Sequence, residues 1–151
     1  MIIISHLLFG AAIGSAIKNP ILAIILAFLG HYLLDFLPHI EYSIANIKKR
    51  QWKQSTSEFL SIVIDFCLGL IFVIMFSSNS LIIYICAILA ITPDILSILE
   101  ALLPLKVLKQ HGLMHRGKIH YFRNKKISNF WRISSQVLIV ILSIYILKTF
   151  R

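Results

Sequence analysis

"GHYLLDFLPH", residues 30–39, closes an apolar run that begins at Pro20, yet it holds two histidines and an aspartate at intervals of four: His31, Asp35 and His39. Asn19-Pro20 before the run and Pro38 at its end are helix start and stop signals. Such a helix is apolar over most of its surface and carries its polar atoms on one stripe. A membrane helix whose polar stripe faces other helices satisfies both conditions.

The rest of the chain agrees. Of 151 residues, 58% are hydrophobic and 14% charged, a balance that leaves too little polar surface for a water-soluble domain. A hydrocarbon core of about 30 Å takes roughly 20 apolar residues per helix, fewer where the bilayer thins. Five stretches qualify: Ile2 to Ile17, Pro20 to Leu37, Glu58 to Phe76, Leu81 to Leu103 and Ile133 to Leu147. The fold class is therefore all-α, a single domain over residues 1–151. It is an integral membrane bundle of about five transmembrane helices, with a long basic cytoplasmic loop between the fourth and fifth. The first stretch lacks the positive leader of a signal peptide and reads as a retained span. Cys67 and Cys86 stand alone and read as small buried hydrophobes.

Threading the spans alternately puts the N-terminus and the 41–57 and 104–132 loops on one side, with twelve of the fifteen Lys and Arg residues; Lys18, Lys148 and Arg151 fall opposite. The positive-inside rule places that first side, and the N-terminus, in the cytoplasm and the C-terminus outside. The same threading gathers every histidine and every acidic residue into the inner half. Helical faces then aim them inward, because residues four apart share a face. His6-Gly10-Gly14, Ala23-Ala27-His31-Asp35, Asp65-Gly69 and Ala87-Ala90-Asp94 each combine polar groups with the small residues that mark close helix approach.

Asp35, Asp65 and Asp94 are expensive in a membrane, about 2.5 to 3.5 kcal/mol each at the centre of a span, and no interior Lys or Arg offsets them. A divalent metal would; the alternatives are protonated carboxyls hydrogen-bonded to backbone, helped by a kink at Pro93, or a loop Arg folded back into the bundle. Mixed imidazole and carboxylate ligands favour zinc, manganese or iron over magnesium. One ion beside three aspartates leaves a net charge of −1, and two leave +1, the sign that suits a phosphate substrate. His31 and Asp35, one turn apart, can reach one ion; Pro38 lets His39 fold back as a further ligand or proton carrier.

A second cluster lies in "HGLMHRGKIHYFRNKK", residues 111–126. In a helix His111 and His115 share a face, and Gly117 permits a turn that returns His120 to them. Basic loops also suit anionic lipid. The basic residues are spread over juxtamembrane loops with no recognisable nucleic-acid-binding module, so no nucleic-acid partner is expected.

"HLLFGAAIG" (residues 6–14), "GHYLLDFLPH", Pro93-Asp94 and "HRGKIH" (residues 115–120) together resemble the signatures of the small bacterial and archaeal membrane-bound metal-dependent hydrolases, in which a His-Arg-Gly-x-Thr-His element recurs; Ile119 stands here where that family has Thr. The H-x-x-x-D unit is more distantly similar to the metal-binding helix of zinc-dependent phospholipase C. The resemblance implies that His6, His31, Asp35, Asp94, His115 and His120 form the metal or catalytic set, in the cytoplasmic membrane of a prokaryote. Asp65 joins the expected ligands by its depth.

The expected function is hydrolysis of a lipid phosphoester at the cytoplasmic leaflet, with anionic phospholipid as the substrate and one or two divalent ions, zinc first, as cofactor. Arg116 and Lys118 are expected to hold the phosphate oxygens and His39 or His111 to protonate the leaving group. Two competitors are a non-catalytic adaptor with a structural metal and basic docking loops, and a metal-ion or proton transporter; a transporter should carry polar groups through both halves of the membrane.

Overall fold

A computed structural model describes residues 1–103, 105–122 and 125–151. Pro104, Arg123 and Asn124, all within the basic loop, lie outside the described residues. The described chain is helical, with no strand: α1 (Ile3–Ala16), α2 (Pro20–Phe36), the single turn α3 (Ala45–Lys48), a 3-10 turn (Trp52–Gln54), α4 (Thr56–Phe76), α5 (Leu81–Leu102), α6 (Lys106–Met114) running into a π turn (His115–Ile119), and α7 (Asn129–Thr149).

Local chemistry sets the ends of α2. Asn19 Oδ1 accepts from the backbone N–H of Ile21 (3.0 Å) and Leu22 (3.1 Å), with Pro20 in the first turn, and the helix stops before Leu37-Pro38, where a residue preceding proline is pushed out of the α region. The start of α1 is capped from another helix: Asp65 of α4 accepts from Ile3 N (2.6 Å) and Ile4 N (3.3 Å). A carboxylate there satisfies two orphan donors and meets the positive end of the helix dipole.

Helix α1 is the central one, touching α2, α4, α5 and α7. Small residues allow this. A Cβ on Gly10 would lie 2.5 Å from Cys86 O and 2.6 Å from Ala90 Cβ, and one on Gly14 3.0 Å from the Ile83 Cα, so the α1 and α5 backbones nearly touch. The stripes Ala23-Ala27-His31-Asp35 and Ala87-Ala90 are fully buried. We expect Gly10→Val to cost about 1–3 kcal/mol through overpacking, lowering the midpoint of thermal unfolding in detergent. An unchanged midpoint would show that α1 and α5 do not pack at this glycine.

The bundle holds a buried polar cluster beside an apolar core, inside an apolar outer surface. Ser5, His6, His31 and Asp35 are fully buried, whereas Leu60, Ile64, Ile71 and Met75 of α4 and Ile21, Leu29 and Leu33 of α2 are exposed. Cys86 is buried as expected, but Cys67 lies on the exposed face of α4. Three helices, α4, α5 and α7, are long and apolar enough to cross a membrane, at 21, 22 and 21 residues or about 32 Å each. The two others are shorter: α1 has 14 residues and α2 has 17, or about 21 and 26 Å. The starting expectation of five full spans thus reduces to three long apolar helices and two short ones. The basic segment after α5 is also more ordered than a loop, since it contains α6 and the π turn.

Candidate metal centre

Asp35 is the hub. Its carboxylate is fully buried where α2 ends, α1 begins and the π turn folds in. Around Oδ1 stand His6 Nε2 at 3.1 Å, the Met1 amino nitrogen at 2.8 Å and His39 Nε2 at 3.9 Å. Around Oδ2 stand the Nε2 atoms of His31 and His115 at 3.1 Å and of His120 at 3.2 Å. Asp94 of α5 closes one side, its two oxygens 3.9 Å from His6 Nε2 and His31 Nε2.

Second partners fix how the rings point. His31 Nδ1–H donates to Ala90 O (2.7 Å) and His39 Nδ1–H to Leu37 O (2.7 Å). Ser97 Oγ–H donates to Pro93 O (3.1 Å), so its oxygen accepts from His115 Nδ1–H (3.1 Å). With Nδ1 protonated, each of these rings presents the Nε2 lone pair to Asp35, the outer-sphere arrangement typical of metal-ligating histidines. His31 Nε2 and His115 Nε2 are only 3.0 Å apart. Lone pairs this close, with their donors turned outward, can take a proton or a metal ion between them, beside the Met1 ammonium already at Asp35 Oδ1.

The ligand atoms fall into two groups that share Asp35, and His115, an expected ligand, belongs to neither although its Nε2 lies 3.1 Å from Asp35 Oδ2. One atom from each of His6, His31, Asp35 and Asp94 lies within 4.8 Å of the others, and the same holds for Asp35, His39 and His120. The His–Asp separations within these groups, 3.1–3.9 Å, fall inside the span of about 4.4 Å that two bonds of about 2.2 Å can bridge. Buried His/Asp clusters of this kind can bind a metal ion.

The π turn explains how His115 and His120 reach the same oxygen. His120 N–H donates to His115 O (3.2 Å) across five residues. In an α-helix residues five apart diverge; in a π turn they nearly eclipse. Gly117 contributes no left-handed bend, since among the described glycines none has positive φ, so the glycine turn expected from the sequence is replaced by π geometry.

Not every expected residue joins. Asp65, expected as a ligand, caps α1 instead and belongs to neither group. Lys118 is exposed and does not line the cavity described below. His111 stacks on His115 with ring centroids 5.4 Å apart, and its Nε2 lies 3.3 Å from Tyr32 Oη. It stays outside both groups. Arg116 faces the site but forms a bidentate pair with Glu100, for which Gly112 leaves the room.

Other residues enter that the sequence did not single out. Glu41 Oε1 lies 2.9 Å from His39 Nε2 and 2.7 Å from His120 Nδ1. Arg132, at the start of α7, donates to His39 O (3.0 Å), Phe122 O (3.0 Å) and Lys125 O (3.2 Å). Ser135 donates to Pro38 O and Gln136 to Ile40 O (3.3 Å). Thus α7 clamps the segment that carries His39. The signal was the polar stripe Arg132-Ser135-Gln136 at helical spacing on an otherwise apolar helix.

A cavity of about 780 Å³ opens beside the cluster, with His39, Glu41, Asp94, His115 and His120 in its wall and Lys48, Arg116 and Arg132 around them. Burial alone lowers the His120 pKa, but hydrogen bonds to the Asp35 and Glu41 carboxylates outweigh it and push the group up to about 9. Burial raises the Glu41 carboxyl, yet His120 and His39 hold it well below the usual carboxylate range. Burial, with His115 and His31 alongside, pulls His111 down.

The His120 shift fixes a pH dependence. Below about pH 9 the metal-free protein holds a proton on His120, and a metal must expel it to use the lone pair. Affinity should therefore rise by about tenfold per pH unit between roughly pH 7 and 9, and then flatten. Calorimetric titration of manganese into stripped protein at several pH values tests this; a flat affinity would contradict His120 as a ligand.

Comparison with protein-family models, curated proteins and solved structures finds no match for this chain.

Proposed function

We propose that this chain is a membrane-embedded, metal-dependent hydrolase that acts on the phosphoester of an anionic phospholipid. The observation that carries the reading is the joining of two ligand groups through Asp35 at the wall of a cavity that also presents Lys48, Arg116 and Arg132. A structural staple needs no such cavity. A transporter needs polar groups at both ends of the bundle, and here the histidines and carboxylates gather at one.

The bundle lies in the cytoplasmic membrane of a prokaryote, with its polar end at the cytoplasmic leaflet and the N-terminus on that side. Helices α4, α5 and α7 cross fully, and the short α1 and α2 are accommodated by local thinning. With two divalent ions, the −3 of Asp35, Asp94 and Glu41 becomes +1, favourable to a phosphate. Zinc is the first choice, manganese and iron the next. The resemblance of the chain's short motifs to those of membrane-bound metal-dependent hydrolases supports the same reading.

His6, His31, Asp35 and Asp94 would hold one divalent ion and Asp35, His39 and His120 a second, and ions bound there would supply Lewis acidity that lowers the pKa of water to about 7. The chain does the rest. Lys48 and Arg116 neutralise the non-bridging oxygens, Arg116 sharing its guanidinium between Glu100 and the substrate. Arg132 keeps the His39 segment in place, and the cavity wall offers Glu41, held ionised, as the carboxylate that takes up the proton of the attacking water.

The test is phosphate-ester release from phosphatidylglycerol vesicles by purified protein supplied with zinc or manganese. Turnover that is lost in Asp94→Ala and retained in Lys118→Ala supports the reading. Absence of turnover on phospholipids across metals, in protein that binds metal, would overturn it.

A further inference from the structure

An apolar groove of about 320 Å³ runs along the start of α7 and is separate from the polar cavity. Ile133, Val137 and Ile141 line it at intervals of four, on one face of the helix, and Ile2 and Ile40 close the other side. Ile40 also lines the polar cavity, and Arg132, next to Ile133, lines it too. The two spaces therefore lie side by side and share the Ile40 wall.

The groove offers no charge. Its one polar lining residue, Gln136, spends its amide on backbone: Nε2–H donates to Ile40 O (3.3 Å) and Arg132 O (3.2 Å), and Oε1 accepts from Ile2 N (3.4 Å). These bonds hold the three segments of the groove at fixed spacing. From Ile133 to Ile141 it extends about 12 Å along the helix, and all three α7 residues are half exposed on the apolar outside of the bundle.

We infer that this groove seats one acyl chain of the substrate lipid and so delivers its phosphate to the cavity bearing Lys48 and Arg116. The occupant must be apolar along the groove and anionic at the Ile40 end, which describes an amphiphile with a phosphate head. A partner helix, about 10 Å across, matches the apolar length but leaves the polar continuation unused. The inference rests on the lipid-phosphoester reading, deepening it by naming what selects a lipid over a soluble ester.

Two measurements separate the claims. First, Val137→Trp fills the groove; the ratio of kcat/KM for dioleoylphosphatidylglycerol vesicles to that for a short-chain, water-soluble analogue should fall about tenfold. Leu138→Trp, on another face of α7, should leave the ratio unchanged. An unchanged ratio in Val137→Trp, or equal loss on both substrates, would overturn the groove. Second, without reference to turnover, phosphatidylglycerol with a photoreactive group on its acyl chain should label Val137 and Ile141 in excess of Leu138 and Leu142. Even labelling around α7, or crosslinking of Ile141→Cys to a second copy of the chain, would overturn the acyl site. Selective labelling with no hydrolysis of either substrate would overturn the hydrolase reading alone and support the groove.

Discussion

Asp35→Asn should strip the protein of metal, to below about a tenth of the wild-type content, and lower turnover on the order of a thousandfold. The reason is geometric. Both oxygens of Asp35 are used, Oδ1 beside His6 and Oδ2 beside His31, His115 and His120, and Asp35 is the one residue common to both ligand groups. Asparagine keeps the shape, but it removes the charge and replaces one acceptor with a donor pair aimed at neighbouring lone pairs. The fold should survive, since an amide can still pair with imidazole, at a cost of about 1–3 kcal/mol. Elemental analysis beside gel filtration separates loss of metal from loss of fold.

The second large effect divides the centre. His6 belongs to one group only and His120 to the other, so His6→Ala and His120→Ala should each retain one ion and lose the other. On the proposed reading, turnover should fall by about a hundredfold or more in both, because two ions would share the stabilisation of attack and leaving group. A single-ion centre behaves differently: both variants then lose all metal. Metal per chain in the two variants, measured side by side, distinguishes the cases.

The cluster was largely legible because its logic is one of helix faces. His31 and Asp35 follow Ala23 and Ala27 at spacing four, and His6 precedes Gly10 and Gly14, so small residues show which side faces inward before any contact is known. The same logic failed for Asp65. A carboxylate beside Gly69 suits either a metal or the N-terminus of a neighbouring helix, and the choice depends on where α1 begins in space. Five-residue spacing between His115 and His120 does not share an α-helical face, so the π turn that unites them leaves no trace in periodicity. Glu41, Lys48 and Arg132 were hidden for another reason: charges beside a span are expected for topology alone. Membrane span counting was blurred at α1 and α2 because their apolar runs are short in the sequence as well, and counting them as full spans relied on local thinning of the bilayer.

The most direct measurement is the metal content of detergent-purified wild-type protein at about pH 8, where His120 gives up its proton most readily within neutral conditions. Close to two zinc, manganese or iron ions per chain is the expected result. A chain that stays folded and holds no metal, even after incubation with these ions, would contradict a metal centre at Asp35.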